Sequence, residues 1–178
     1  ADADTCRRVL ISATADYGML AHLLHAYRLA GVAPEVTVVD MCETPLALNR
    51  WYAERAGVTI RTCRANVLEY RSDAPFDLVC THSFLGRLTP EVRAGVVNKW
   101  HEVLRPGGRW VFAVNHPVRW IFPDDPGPRG LTATIPYFDR TPYVEVDAGG
   151  TPTYVEHHRT LGDRVRDVVA AGLELLDV

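Results

Sequence analysis

The chain has 178 residues, which is enough for one sizeable α/β domain and a tight fit for two. Apolar residues make up 47% of the chain and charged residues 23%, as in soluble globular proteins, and the formal net charge is −3. This balance, without any block of like charges, argues against a nucleic-acid partner. No apolar run approaches the ~20 residues that a membrane span needs.

The four cysteines are scattered, with neither a C-x-x-C pair nor a histidine at metal-ligand spacing. The first residues, ADADTCRR, lack the charged and then apolar pattern of a signal peptide. We therefore expect reduced thiols, no metal site and a cytoplasmic location.

Short β-branched runs alternate with longer helical patterns up to Asn115, which is typical of a parallel sheet with crossover helices. The runs predict five strands, at Arg8–Ser12, Val36–Asp40, Thr59–Cys63, Phe76–Thr81 and Arg109–Val114. The helical patterns predict three helices, one between Asp16 and Gly31, one at Thr44–Ala56 and one at Glu91–Leu104. Arg105-Pro106-Gly107-Gly108 is expected to end the third helix.

After Asn115 the composition changes to Pro, Gly, Asp and aromatic residues, and the aromatic area that must be buried predicts an ordered cap. A hairpin is predicted at Pro142–His158, and Thr160 with Asp163 resembles a capping box that starts a last helix. The ending LELLDV predicts the opening of another strand. The predicted divisions are a core at 1–115, a cap and hairpin insertion over the active site at 116–158, and a last helix and strand start of the core at 159–178.

In a doubly wound, mostly parallel sheet with helices on both faces, ligands bind beyond the carboxyl ends of the strands. Asp40 closes an apolar strand 22 residues after Gly18, where a carboxylate can accept both hydroxyl groups of an adenosine ribose. The alternative is a loop or helix-capping aspartate.

The first loop, Ser12-Ala13-Thr14-Ala15-Asp16-Tyr17-Gly18, is poor in glycine for a nucleotide site. A pyrophosphate needs the closest approach to backbone and would be repelled by Asp16. The loop therefore favours a cofactor that carries positive charge and no phosphate over a dinucleotide.

Five segments, in this order, resemble the motifs of class I S-adenosylmethionine-dependent methyltransferases: RRVLISATADYG, VTVVD, RANVLEY, FDLVCTHSFLGRL and LRPGGRWVFAVNHP. The last is the most specific, and the tail resembles small-molecule methyltransferases of bacterial origin. The resemblance implies a Rossmann-like core that binds S-adenosylmethionine, which carries an ammonium and a sulfonium charge. Two departures are the lost glycines of the first motif and an ending at the family's sixth strand, which leads us to expect missing or truncated sequence.

The resemblance also implies roles for individual residues. Ala13, Thr14, Ala15 and Gly18 would line the methionine moiety, and Asp40 would hold the ribose. Against the adenine would lie Met41, Asn66 and Val67. Thr81 and His82 would lie under the sulfonium.

A general base is needed only when the methyl acceptor is a hydroxyl group or a protonated amine, and histidine is the natural candidate. His82 and His116 follow the fourth and fifth predicted strands and are the catalytic candidates, although a lone histidine is more often structural. From the cap, Trp120, Tyr137 and His158 are predicted to bind the acceptor, a small molecule.

Two other functions stay open at this point. An NAD-dependent oxidoreductase could use the same Asp40, although its glycine-rich turn and Tyr-x-x-x-Lys pair are missing from the sequence. A non-catalytic relative would keep the fold as a binding subunit, which the altered first loop would explain. The sequence does not decide the oligomeric state, and a homodimer is one assembly compatible with it.

Overall fold

The computed structural model describes residues 6–123, 125 and 127–177, which form two compact units. The first unit runs up to Phe84 and includes Asn98–Ala113. Its central sheet has five parallel strands in the order β3-β2-β1-β4-β5. The strands are β1 Arg8–Ser12, β2 Glu35–Asp40, β3 Ile60–Arg64, β4 Phe76–His82 and β5 Leu104–Ala113. The first three α-helices of the chain are α1 Gly18–Leu29, α2 Glu43–Ala56 and α3 Pro90–Val103.

One face of the sheet is covered by α1 and α2. Their apolar stripes recur at helical spacing, so that Leu20 and Leu23 of α1 and Leu46 of α2 pack against alternate residues of the strands. Val9 and Ile11 are the β1 residues of this cluster, and both are fully buried. The opposite face packs on the last turns of α3, where Trp100 is fully buried and its ring centroid lies 5.0 Å from that of Trp110 in β5. The predicted doubly wound α/β fold with helices on both faces is confirmed.

The boundary between α3 and β5 differs from the prediction. Arg105-Pro106-Gly107-Gly108 does not separate the two elements as a loop, because β5 already begins at Leu104. The register passes from Phe76 opposite Leu104 to Leu78 opposite Arg109, so the extra residues bulge out of the ladder. Gly107, at φ 72°, takes the left-handed conformation that this bulge requires.

The second unit consists of Leu85–Val97 and the residues from Val114 onward. It contains a two-stranded antiparallel hairpin of β6 Tyr143–Val146 and β7 Pro152–Glu156, and the helix α4 Leu161–Ala170. At the hairpin turn, the Asp147 carboxylate accepts hydrogen bonds from backbone N–H groups on the far side of the turn. The capping box is present, since the Thr160 hydroxyl accepts from Asp163 N and the Asp163 carboxylate accepts from Thr160 N.

The units do not coincide with the predicted divisions. The first half of α3 and the whole of α4 lie in the second unit, whereas the sequence assigned both helices to the core. Residues 173–177 are irregular, so the predicted strand does not begin there among the residues that the structure describes. Residues 1–5 of the predicted core, Asp124 and Pro126 of the predicted cap, and Val178 lie outside the described residues. Within those limits, no helix is long and apolar enough to cross a bilayer.

Candidate functional site

The Asp40 carboxylate joins two loops at the carboxyl edge of the sheet. Its Oδ2 accepts a hydrogen bond from Thr14 N at 3.0 Å, and its Oδ1 accepts one from Cys42 N at 2.7 Å. The loop after β1 and the turn after β2 are therefore held by one side chain. Because a carboxylate offers about four lone-pair sites, each oxygen keeps capacity for a further donor such as a ribose hydroxyl.

Ala13 has the backbone conformation that a glycine would take in this loop. Its φ is 58°, and its N–H donates to the carbonyl of Val39 at 2.9 Å. The left-handed conformation costs an L-residue about 1–2 kcal/mol. The backbone of this loop thus follows a path that suits glycine, and Ala13 adopts it with a strained, left-handed conformation.

The rest of the loop is fixed by hydrogen bonds around Asp16. The Thr14 hydroxyl donates to Asp16 O at 2.5 Å, and Gly18 N donates to Asp16 Oδ1 at 2.6 Å. Asn49 of α2, which is fully buried, donates from Nδ2 to Asp16 O at 3.0 Å and to Pro45 O at 2.8 Å. Asn49 was not predicted from the sequence, although a polar residue in line with Leu46 and Ala53 on the apolar stripe of α2 marks this position.

The turn after β3 lies beside Asp40 through the backbone. Ala65 N donates to Asp40 O at 3.0 Å, and Asn66 Oδ1 accepts from Leu68 N at 3.1 Å. Val67 is buried, whereas Met41 is 64% exposed. The predicted adenine residues thus border the same sheet edge as Asp40, and the apolar side chain of Met41 is largely exposed there.

Two buried hydroxyl groups lie at the ends of β1 and β4. The register that pairs Ile11 with Cys80 places Ser12 next to Thr81 along the same strand pair. Both residues are essentially unexposed, and neither Oγ of Ser12 nor Oγ1 of Thr81 has a hydrogen-bond partner among the described residues. Such groups are uncommon in folded proteins.

A groove of about 540 Å³ opens next to this edge, between the start of α1 and the first turns of α2. Tyr17 and Trp51 line it, with ring centroids 5.5 Å apart, and Tyr17 stacks on Tyr52 at 5.0 Å. Neither ring was predicted from the sequence as part of a site, and Tyr17 was assigned only to the first loop.

His82 ends β4 and is exposed, with Nε2 3.4 Å from the hydroxyl of Ser83. Ser83 takes a φ of 49°, a second left-handed residue at this edge. Cys80, two residues earlier, is buried, and burial raises the pKa of its thiol to about 12. His82 therefore offers a solvent-accessible imidazole, whereas Cys80 stays a neutral thiol.

The histidine predicted after β5 belongs to the second unit and has a structural contact there. His116 Nδ1 accepts a hydrogen bond from Val118 N at 3.2 Å and caps the short 3₁₀ helix Pro117–Ile121. A lone pair used in this way is not available for accepting a proton from a substrate. The imidazole of His116 thus has a hydrogen bond within its own turn, whereas that of His82 is exposed.

The three predicted acceptor residues of the second unit lie in one aromatic cluster. The His158 ring is 6.5 Å from Trp120 and 5.8 Å from Tyr137, measured between ring centroids. His158 is buried, and its Nε2 lies 2.7 Å from the carbonyl of Tyr137, so that this nitrogen donates. Two polar atoms of the cluster, Trp120 Nε1 and His158 Nδ1, are buried without a partner among the described residues.

Residues 17–108 match the sequence model of a methyltransferase domain. The chain belongs to this methyltransferase domain family. No curated protein sequence matches it.

Solved structures agree with the family. An S-adenosylmethionine-dependent methyltransferase from Mesorhizobium loti is 21% identical, with a TM-score of 0.61, over 99% of this chain and 78% of that one. One from Clostridium acetobutylicum ATCC 824 is 12% identical, with a TM-score of 0.69, over 99% of this chain and 76% of that one. The 1,6-didemethyltoxoflavin-N1-methyltransferase of Burkholderia thailandensis is 22% identical, with a TM-score of 0.61, over 96% and 63% of the two chains. At identities this low, the structural matches establish a shared fold.

The prediction of a class I S-adenosylmethionine-dependent methyltransferase is thereby confirmed, and S-adenosylmethionine is the cofactor of this methyltransferase. The residues present fit that cofactor. The carboxylate of Asp40 has lone pairs left for the hydroxyl groups of a ribose. An oxidoreductase is not supported.

Proposed function

We propose that this methyltransferase transfers a methyl group from S-adenosylmethionine to a small-molecule acceptor, with Asp40 as the ribose anchor. The observation that carries the proposal is the Asp40 carboxylate, which fixes both loops and has an unused lone pair on each oxygen. A ribose whose two hydroxyls donate to these oxygens would form charge-assisted hydrogen bonds.

The remaining donor contacts follow from the same edge of the sheet. The methionine moiety would lie against the loop after β1, and the adenine against the turns after β2 and β3. The residues proposed for these contacts are Ala13, Thr14, Ala15, Gly18, Met41, Asn66, Val67 and Thr81. When bound, the cofactor would supply an electrophilic methyl group, whose bond to sulfur breaks as the acceptor nucleophile bonds to its carbon, with S-adenosylhomocysteine as the leaving group.

For the acceptor we propose the aromatic cluster of Trp120, Tyr137 and His158. Because His158 Nε2 donates to a carbonyl, its Nδ1 is an acceptor in the neutral ring, and Trp120 Nε1 is a donor. One unused donor and one unused acceptor among aromatic rings suit a flat, polar heterocycle or phenol. In line with this, the Burkholderia thailandensis relative was solved with 1,6-didemethyltoxoflavin and S-adenosylhomocysteine bound. The cytoplasmic location of the enzyme stays a prediction. The absence of nucleic-acid and membrane partners also stays a prediction.

His82 is proposed to remove the acceptor proton where the acceptor is a hydroxyl or a protonated amine. We expect His82→Gln to lower kcat by about 10²-fold or more, the usual contribution of a general base. The control is His116→Gln, whose side chain caps a 3₁₀ helix and whose loss should leave kcat within a few-fold. A larger loss of kcat in His116→Gln than in His82→Gln would reverse the assignment.

The test of the donor site is titration calorimetry with S-adenosylmethionine. Asp40→Ala should weaken donor binding by about 1–3 kcal/mol, which corresponds to roughly 5- to 150-fold in Kd, because two charge-assisted hydrogen bonds are lost. Asp73→Ala is the matched control, since Asp73 is 74% exposed and pairs only with Arg8 and Arg61 among the described residues. Equal affinity of wild type and Asp40→Ala would refute the ribose assignment.

A further inference from the structure

The second unit contains a cluster of arginines around a single aspartate. We call Arg93, Arg159 and Arg164 the arginine cluster, with Asp167 as the shared carboxylate. Arg93 is 3% exposed and Arg164 is 7% exposed, which is rare for a guanidinium. Three cations thus lie close together in a largely buried setting.

Two members of the arginine cluster have structural partners. Arg93 donates from Nε to Leu85 O at 3.0 Å and from Nη2 to Leu88 O at 2.8 Å. Arg159 donates from Nη2 to both Asp167 oxygens, at 2.6 and 2.8 Å. These bonds fix the geometry of the cluster and use one lone pair on each oxygen of Asp167.

Arg164 differs from both. Its Nε is buried without a partner, and no carboxylate of the described residues comes within 4 Å of its guanidinium. Besides Asp167, the acidic group that acts on Arg164 is Glu156, which also accepts a hydrogen bond from the Tyr154 hydroxyl. Burial, together with the charge of Arg159, lowers the pKa of Arg164, while Glu156 and Asp167 raise it.

The cluster therefore carries more cationic than anionic charge. Further donors are unused, since Arg93 Nη1 lies 3.7 Å from Asp167 Oδ2 and, like Arg159 Nε, is buried without a hydrogen bond. A buried guanidinium that lacks a hydrogen-bonded carboxylate is unfavourable, and an anion that pairs with it stabilises the folded state.

We propose that the arginine cluster binds an oxyanionic group, a carboxylate or a phosphate of a small molecule, with Arg164 as its principal ligand. The planar guanidinium fork matches the geometry of either group. Arg93 and Arg159 are already held by the fold and position the site, while Arg164 supplies a donor, Nε, that no group among the described residues uses. The donor-binding residues lie in the other unit, so this site stands independently of the proposed function.

Differential scanning fluorimetry and titration calorimetry with sodium phosphate and with sodium benzoate test the proposal, against sodium chloride at equal ionic strength. At least one of the two anions should raise Tm beyond chloride, and the one that does identifies a phosphate or a carboxylate site. Arg164→Met should weaken that binding about tenfold or more, because a charge-assisted contact is lost while the side-chain volume is kept.

Arg166→Met is the matched control on α4, since Arg166 is 71% exposed and pairs with Asp163. It should retain the anion response, and S-adenosylmethionine affinity should be unchanged in both variants. Arg164→Gln serves the same purpose if Arg164→Met does not fold. No response to either anion beyond chloride, or an equal response without Arg164, overturns the proposal.

Discussion

Ala13 shows how a single residue can keep the path of a loop while giving up its glycine. Its φ of 58° lies where a Cβ is crowded, so Ala13→Gly should relieve strain of about 1–2 kcal/mol. The greater conformational freedom of glycine in the unfolded chain offsets part of this gain in stability. We expect a net increase of about 0.5–1 kcal/mol in the free energy of unfolding, measured by urea denaturation.

The matched control is Ala15→Gly in the same loop, since Ala15 does not have a positive φ. It should lower stability, because only the unfolded-state effect remains. If both variants were destabilised equally, the strain at Ala13 would be refuted.

Asp40 and Thr14 were predicted from the sequence because they lie where the chain leaves a recognisable strand. Asn49 was not, because its contact with Asp16 O joins residues 33 positions apart and depends on how α2 packs. The arginine cluster was missed for the same reason, since Arg93 and Arg164 approach each other only in the folded chain. Residue types and the hydrophobic periodicity of the chain predict which edge of the sheet binds a ligand. They do not predict which side chains, distant in sequence, hold the loops at that edge.

At the scale of the elements, β1 was predicted with its observed bounds, and the other four strands of the central sheet were located by their apolar runs. The exception is the junction of α3 and β5, where Pro106 and two glycines indicate a break. The ladder nevertheless resumes on both sides of the bulge, because Leu104 still pairs with Phe76. Turn residues predict a local irregularity, while the neighbouring strand decides whether pairing continues.

The start of α4 gives a prediction on pH. The Asp163 carboxylate is 7% exposed and pairs with Arg140. This ion pair holds the pKa of Asp163 well below its usual range, although burial acts in the opposite direction. Hydrogen bonds with Thr160 and Arg166 lower the pKa further. A depressed pKa in the folded state stabilises the protein above the unfolded pKa of about 4, and this gain is lost as pH falls below it. Asp163→Asn should therefore cost about 1–3 kcal/mol at pH 7.

Denaturation of wild type and Asp163→Asn between pH 7 and pH 2.5 measures this effect. The difference in the free energy of unfolding should shrink below about pH 4, because the unfolded chain then takes up a proton at Asp163 while the folded state still holds the carboxylate ionised. Glu174→Gln, an exposed change after α4, should leave the curve unaltered. A difference that stays constant with pH would contradict the role of the carboxylate charge.

For the whole molecule, binding of the donor should appear as thermal stabilisation. At a concentration of 100 Kd, S-adenosylmethionine adds about 2.7 kcal/mol to the folded state. For a chain of this length, that raises Tm by about 5–10 °C. Scanning fluorimetry measures the shift, and NAD, whose pyrophosphate would meet Asp16, should give none. A shift with NAD and none with S-adenosylmethionine would contradict the donor assignment.

The division of α3 has a practical consequence for dissecting this enzyme. The backbone passes between the two units after Phe84, Val97 and Ala113, so neither unit is one continuous stretch of sequence. A fragment that ends at residue 115 would carry Leu85–Val97 without the hairpin and α4, the other segments of that unit. Chimaeras of this methyltransferase with a relative should therefore exchange residues 85–97 together with the residues after 113. A single crossover would leave the first half of α3 packed against residues of the other protein.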